Sequence, residues 1–216
     1  MWGLWTVDCT QSVEQTAALP SQAMEAGTPN SDVAIRVASV ADAPTIARIH
    51  VTSWQETYAG LVPAETLARM SIEQRTAMWD LILGGPPDAS VTSAFLAARG
   101  EDIVGFGSCG SQRSDDLERA GFDAEISALY VLRSAQRRGI GAALMRVMAS
   151  KLLQRGHSGA SLWVLRENGV ARRFYEGLGG ALAGERTDER RHGTLVEVAY
   201  GWPDLSVLTL PQGGGA

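Results

Sequence analysis

At 216 residues the chain is long enough for one sizeable domain with tails, and its 45% hydrophobic and 20% charged content is that of an ordinary globular protein. No stretch approaches the roughly 18 apolar residues needed to cross a bilayer, and a net charge of -5 gives no general attraction to nucleic acid or anionic lipid. Cys9 and Cys109 alone supply neither a disulfide framework nor a cysteine metal cluster, and the first residues lack a basic and apolar secretory signal, so a cytoplasmic location is expected.

Residues 1–32 mix Gln, Ser, Thr, Ala, Pro and Gly without sustained periodicity and are expected to be a flexible N-terminal extension. The ordered domain begins with the alternating run Val33 to Val37 and extends to residue 203, leaving 204–216 as a C-terminal tail. Asp42 can cap a helix that tolerates Pro44 in its first turn and carries Ile46, Ile49, His50 and Trp54 at helical spacing toward Tyr58. Pro63 starts a second helical pattern, and Ser71 caps a third that ends at Gly84-Gly85-Pro86-Pro87. Strand-like runs follow over Val91 to Ala98, Ile103 to Cys109 and, after a polar loop, Ala124 to Leu132; an antiparallel meander is their simplest topology. Next come a glycine turn and helix, a strand over Ala160 to Arg166, a helix over Asn168 to Leu178, and strands near Ala181 to Arg186 and Leu195 to Tyr200.

The glycine turn, Gln136-Arg137-Arg138-Gly139-Ile140-Gly141, lies between a strand and a helix N-terminus. Two glycines let backbone approach a bulky anion, and the free N–H groups of a first helical turn supply donors and a positive dipole end. A diphosphate suits that arrangement; the competing explanation is that Gly139 and Gly141 only permit tight helix packing. There is no Gly-x-Gly-x-x-Gly after an early strand and no Gly-Lys-Ser/Thr, so dehydrogenase and P-loop readings are set aside.

Ala128-Leu129-Tyr130-Val131 followed by the glycine turn resembles the pyrophosphate motif of the GNAT superfamily of acyl-CoA-dependent N-acyltransferases. Leu162-Trp163-Val164, Asn168 and Phe174-Tyr175-Glu176-Gly177-Leu178-Gly179 resemble its second motif, and Trp54 to Pro63 is similar to a segment of one branch of small acetyltransferases. Gly180 departs from the pattern, since an aromatic or apolar residue more often stands there. The resemblance implies an α/β (α+β) fold with a mixed, mostly antiparallel central sheet of about seven strands flanked by helices. It implies acetyl-CoA as cosubstrate, with its diphosphate on the loop of Gln136, Arg137, Arg138, Gly139, Gly141 and Ala142. Its pantetheine would run beside Leu129, Tyr130 and Val131, with a contact to Asn168.

Asn168 and Tyr175 are seven residues apart and so return to nearly one helix face. Tyr175 is the candidate proton donor to the leaving thiolate, whose unperturbed pKa is about 8.5 against about 10 for tyrosine; the plainer alternative is a half-buried aromatic with its hydroxyl in water. An alkylammonium needs a base, and Glu125 is the candidate, set by a period of two on one face with Ser127, Leu129 and Val131. Its plainer alternative is a strand-end carboxylate in solvent. Trp54, Glu56 and Tyr58 are implied by the resemblance to border the acceptor pocket. His50, His157 and His192 lack ligand spacing, so no metal is expected, and Cys109 lacks a basic neighbour, which favours direct transfer over an acyl-cysteine. The expected acceptor is a primary amine on a small molecule, with no nucleic acid or membrane partner; a homodimer is compatible with the sequence. The alternatives are acetylation of a protein or peptide N-terminus and a non-catalytic acyl-CoA sensor.

Overall fold

The computed structural model describes residues 33–60, 62, 64–85, 92–190 and 193–210; the expected extension over 1–32 lies outside them. After strand β1 (Val33–Val37), helix α1 (Ala43–Tyr58) begins with Pro44 in its first turn. Asp42 does not cap it. Its carboxylate turns back to accept from the Ser39 backbone N–H at 2.8 Å and pairs with Arg36, which fixes the turn before the helix. Helix α2 (Ala64–Ala68) is short, and α3 (Ile72–Gly84) is capped by Ser71, whose hydroxyl accepts from Gln74 N–H at 3.3 Å. The apolar face of α1 (Ile46, Ile49) and Trp79 of α3 bury against Leu96, Phe106 and Ala128 of the sheet.

Strands β2 (Ser93–Arg99), β3 (Asp102–Ser111) and β4 (Ala124–Val131) form the expected antiparallel meander with β1. The polar loop expected between β3 and β4 contains a short helix, α4 (Asp115–Arg119), whose acidic first turn complements the helix dipole. Then come α5 (Ile140–Gln154), β5 (Ala160–Leu165), α6 (Gly169–Gly177), β6 (Ala181–Arg190), β7 (Gly193–Trp202) and α7 (Ser206–Thr209). The sheet order is β1-β2-β3-β4-β5-β7-β6, with β4 and β5 parallel and every other pair antiparallel. This is the mixed, mostly antiparallel seven-stranded sheet that the motifs implied. The last strand enters between β5 and β6, so that Val198, Tyr200 and Trp202 reach the larger core.

That core lies under α5, where Ile140, Leu144, Met148 and Leu152 meet Ile126, Leu162, Val164 and Tyr200. Leu205 and Leu208, on either side of the start of α7, are buried in it as well. The domain therefore does not stop at residue 203, because burying each leucine contributes about 1.5–3 kcal/mol and anchors the segment once expected to be tail. At Gly180 a Cβ would lie 2.7 Å from the Trp202 ring, so this indole fills the place where an aromatic or apolar side chain was expected. Trp202 Nε1 also donates to Leu178 O at 3.0 Å, which closes the end of α6.

Strict alternation fails in β4. A bulge between Ser108 and Cys109 of β3 sets Cys109 opposite Ile126 but Ser108 opposite Ala128. Ala124, Ile126, Leu129 and Val131 consequently face the α5 core, while Ala128 and Tyr130 face α1 and α3. Glu125 does not share a face with Leu129 and Val131, as a period of two predicted; the extra residue reverses the parity.

Candidate active site

Strands β4 and β5 pair only at Ala124 with Ala160 and Glu125 with Ser161. Beyond Glu125 they diverge, leaving the β5-side edge of Leu129, Tyr130 and Val131 unpaired along a gap. The side chains of Leu129 and Val131 pack against the core, so their offering to the gap is backbone N–H and C=O.

At the open mouth of this gap stands the turn of Gln136, Arg137 and Arg138. Gln136 Nε2 donates to Val131 O at 2.9 Å, tying the turn to the end of β4. Arg137 adopts φ +62° and Gly139 φ +78°. A left-handed non-glycine residue costs about 1–2 kcal/mol, which the surrounding turn must offset. The two glycines serve different ends. A Cβ on Gly139 would meet nothing within 4 Å, so the position is spatially open and needs glycine for its backbone angle, whereas a Cβ on Gly141 would lie 3.1 Å from Phe174. Close packing thus accounts for Gly141, while Gly139 is required by its backbone angle. Arg137 and Arg138 are exposed, and Ala142 N–H lies in the first turn of α5, among the amides that have no intrahelical acceptor. These donors, the dipole end and the open space over Gly139 fit a diphosphate.

Phenols from three elements meet beside the gap. Tyr175 of α6 is buried, its ring 5.4 Å from Phe174 and 6.0 Å from Tyr200, which replaces the half-solvated alternative. Burial, then the neighbouring Tyr58, pushes its hydroxyl well above the ordinary phenol value. Tyr58, at the end of α1, is raised to about 12 by burial, opposed by a hydrogen bond from the Asn168 side chain. Asn168 also caps α6, its Oδ1 accepting Ala171 N–H at 3.1 Å, so its amide group is the one left for Tyr58. Tyr130 of β4 is raised too, first by burial and then by Tyr58, and accepts Trp54 Nε1–H at 2.9 Å. Glu56 accepts Arg133 N–H at 2.9 Å and thereby fixes the end of α1 to the turn preceding the loop.

Glu125 sits at the closed end of the gap and is buried, not solvated. Arg113 grips both its oxygens, Nε to Oε2 at 2.8 Å and Nη2 to Oε1 at 2.7 Å, and this pairing raises the Arg113 pKa. Tyr130, Asn168 and Tyr175 are thus gathered with Tyr58, while Glu125 stands apart. A second buried carboxylate, Glu197 of β7, escaped the sequence reading, although a lone acid in the apolar alternation Leu195 to Tyr200 was a usable signal. His50 is a neutral core aromatic stacked 4.9 Å from Tyr130; burial and then Arg75 lower its pKa to about 3. His157 Nδ1 lies 3.5 Å from Asp123, and His192 is outside the described residues. Among the described residues no group of three or more His, Cys, Asp or Glu could hold a metal ion, and no helix is long and apolar enough to cross a membrane.

The chain is 34% identical over 177 residues to an uncharacterized N-acetyltransferase, YuaI, of Bacillus subtilis (strain 168), covering 82% of this chain and 96% of that protein. Its fold resembles the crystal structure of PaiA N-acetyltransferase from Thermoplasma acidophilum in complex with coenzyme A (TM-score 0.59, 22% identity, 76% of this chain and 97% of that one). It also resembles ribosomal-protein-alanine N-acetyltransferase from Brucella melitensis (TM-score 0.59, 21% identity, 78% and 98%). The sequence profile of the acetyltransferase (GNAT) family matches residues 52–179, and with the relationship to YuaI this establishes that the chain belongs to that family.

Proposed function

We propose that this acetyltransferase moves an acetyl group from acetyl-CoA to a primary amine on a small molecule, by direct attack of the amine on the thioester. The observation that carries the reading is the divergence of β4 from β5 beyond Glu125, with the left-handed Arg137 and Gly139 at its mouth and the Tyr58, Tyr130 and Tyr175 phenols beside it. Backbone amides of Arg138, Gly139, Gly141 and Ala142 hold the diphosphate, with Gln136 bracing the turn and Arg137 adding charge. The edge of Leu129, Tyr130 and Val131 takes the pantetheine amides, and Asn168 exchanges its bond to Tyr58 for one to the pantetheine. That the coenzyme A complex of PaiA shares this fold supports the placement.

Tyr175 donates a hydrogen bond to the sulfur as the C–S bond breaks. Its raised pKa keeps the phenol protonated and makes full transfer to a solvated thiolate unfavourable, so the bond acts by stabilising charge until the thiolate, itself desolvated, takes the proton. Glu125 receives the ammonium proton. Because Arg113 occupies both of its oxygens, it does so through a water or after one of those bonds is released. Cys109 is buried, with burial pushing its thiol up to about 12, which supports transfer without an acyl-cysteine.

Calorimetric titration with acetyl-CoA, followed by a screen of amines and peptides for thiol release, tests the reading. One site per chain and turnover with free amines is the expected outcome. Turnover with peptides alone would move the acceptor to a protein N-terminus, and binding without any turnover would leave a sensor.

A further inference from the structure

Arg186 of β6 and Glu197 of β7 are directly opposite in register, and alternation sets both on the sheet face opposite Val198 and Tyr200. Trp163 of β5 shares that face, since its neighbours Leu162 and Val164 point into the α5 core. Glu197 is buried, with a side-chain exposure of 6%, while that of Arg186 is 45%. The arginine reaches back across β7, and its guanidinium lies 4.2 Å from the centre of the Trp163 ring. It therefore stands over β5, the strand bordering the gap.

The mode of pairing distinguishes this arginine from Arg113. Arg113 presents its side edge, Nε and Nη2 together, to Glu125. Arg186 gives Glu197 only its Nε, at 2.7 Å, and among the described residues its two terminal nitrogens have no hydrogen-bond partner. The guanidinium is fixed twice, by a buried carboxylate and an indole face, with its outer fork left over. A fixed, half-exposed fork matches the two oxygens of an oxyanion, and prior fixation reduces the entropy lost on binding.

We propose that the outer fork of Arg186 binds an acidic group of the acceptor, so that the substrate is a small primary amine carrying a carboxylate or phosphate a few bonds away. This rests on the acetyl-transfer reading above. Glu197 and Trp163 act as positioning residues, holding the guanidinium beside the gap while the amine points to the thioester.

The test compares an amino acid series, the matching carboxamides and aminoalkyl phosphates as acceptors for the wild type, Arg186→Gln and Arg186→Lys. The wild type should prefer the acidic amines, and whether carboxylate or phosphate is preferred identifies the oxyanion. Both variants should raise KM for the acidic amine by about tenfold or more, while the carboxamide and acetyl-CoA binding change less than about twofold. Lysine keeps the charge and the pairing with Glu197 but not the fork, so its loss would separate recognition from support of the hairpin. A wild type indifferent to the acidic group, or variants that lose both acceptor classes equally, would overturn this inference alone. Acetyl-CoA binding without acetylation of any free amine would overturn the reading on which it rests, and this inference with it.

Discussion

The two ends of the gap between β4 and β5 use polar groups in opposite ways. At the closed end Arg113 holds Glu125 by two bonds, Gln112 Nε2 donates to Ser161 Oγ at 2.7 Å, and Asp123 accepts from Ser158 and Gly159 N–H at 3.1 and 3.0 Å. Each polar group there joins one part of the chain to another. At the open end a non-glycine residue is left-handed, first-turn amides lack intrahelical partners, and several phenols with raised pKa values face one another. One end holds the strands together and the other, on the function proposed above, receives the ligand, so substitutions should affect stability at the first and binding or turnover at the second.

The largest effect should come from Gly139→Val, which forces a branched side chain to φ +78° in the space assigned to the diphosphate; acetyl-CoA binding should vanish from calorimetry, and tight binding would mean that the cofactor lies elsewhere. Tyr175→Phe should lower kcat by about 10²-fold with the acetyl-CoA Kd little changed. Unchanged turnover would remove Tyr175 from the chemistry. Glu125→Gln should cost about 2–3 kcal/mol in urea unfolding, below the fully buried case because Arg113 is partly exposed, as well as turnover. Full stability with turnover lost would make Glu125 a base with no bracing role and erase the contrast between the ends.

A smaller effect concerns His50, which is held neutral under α1. Its pKa is lowered from 6.5 to about 3 in the fold, so the unfolded chain takes up the proton first. The stability this residue contributes is complete above pH 6.5 and lost as pH falls toward 3. Urea unfolding at several pH values should show that slope in the wild type and a shallower one in His50→Phe. The smallest change is expected of Arg137→Gly. Relief of the left-handed strain should offset the greater flexibility of glycine and leave stability within about 1 kcal/mol, with acetyl-CoA binding weakened only by the lost charge. A large loss of binding would show that the side chain, not the backbone, grips the phosphates.

Much of the proposed site was written in local signals. The loop from Gln136 to Ala142 needed only a strand, two glycines and a helix start, and the seven-residue spacing of Asn168 and Tyr175 needed only the helix period. Less legible was anything that depended on which residues lie opposite one another. The face of Glu125 turned on a bulge whose cause lies in the pairing of β3 with β4, and the grip of Arg113 on it joins residues 12 apart in sequence. Glu197 and Arg186 come together only because β7 enters the sheet between β5 and β6 and sets the arginine over Trp163.

The sequence by itself therefore determined most of the elements, the glycine turn and the family, because glycine backbone angles, helix starts and apolar periodicity act over a few residues. Tertiary structure decided which carboxylate is clamped by two bonds, which is held by Nε alone, and why Gly180 can be glycine beneath Trp202. Those outcomes depend on register and close packing between distant segments, which local spacing does not encode.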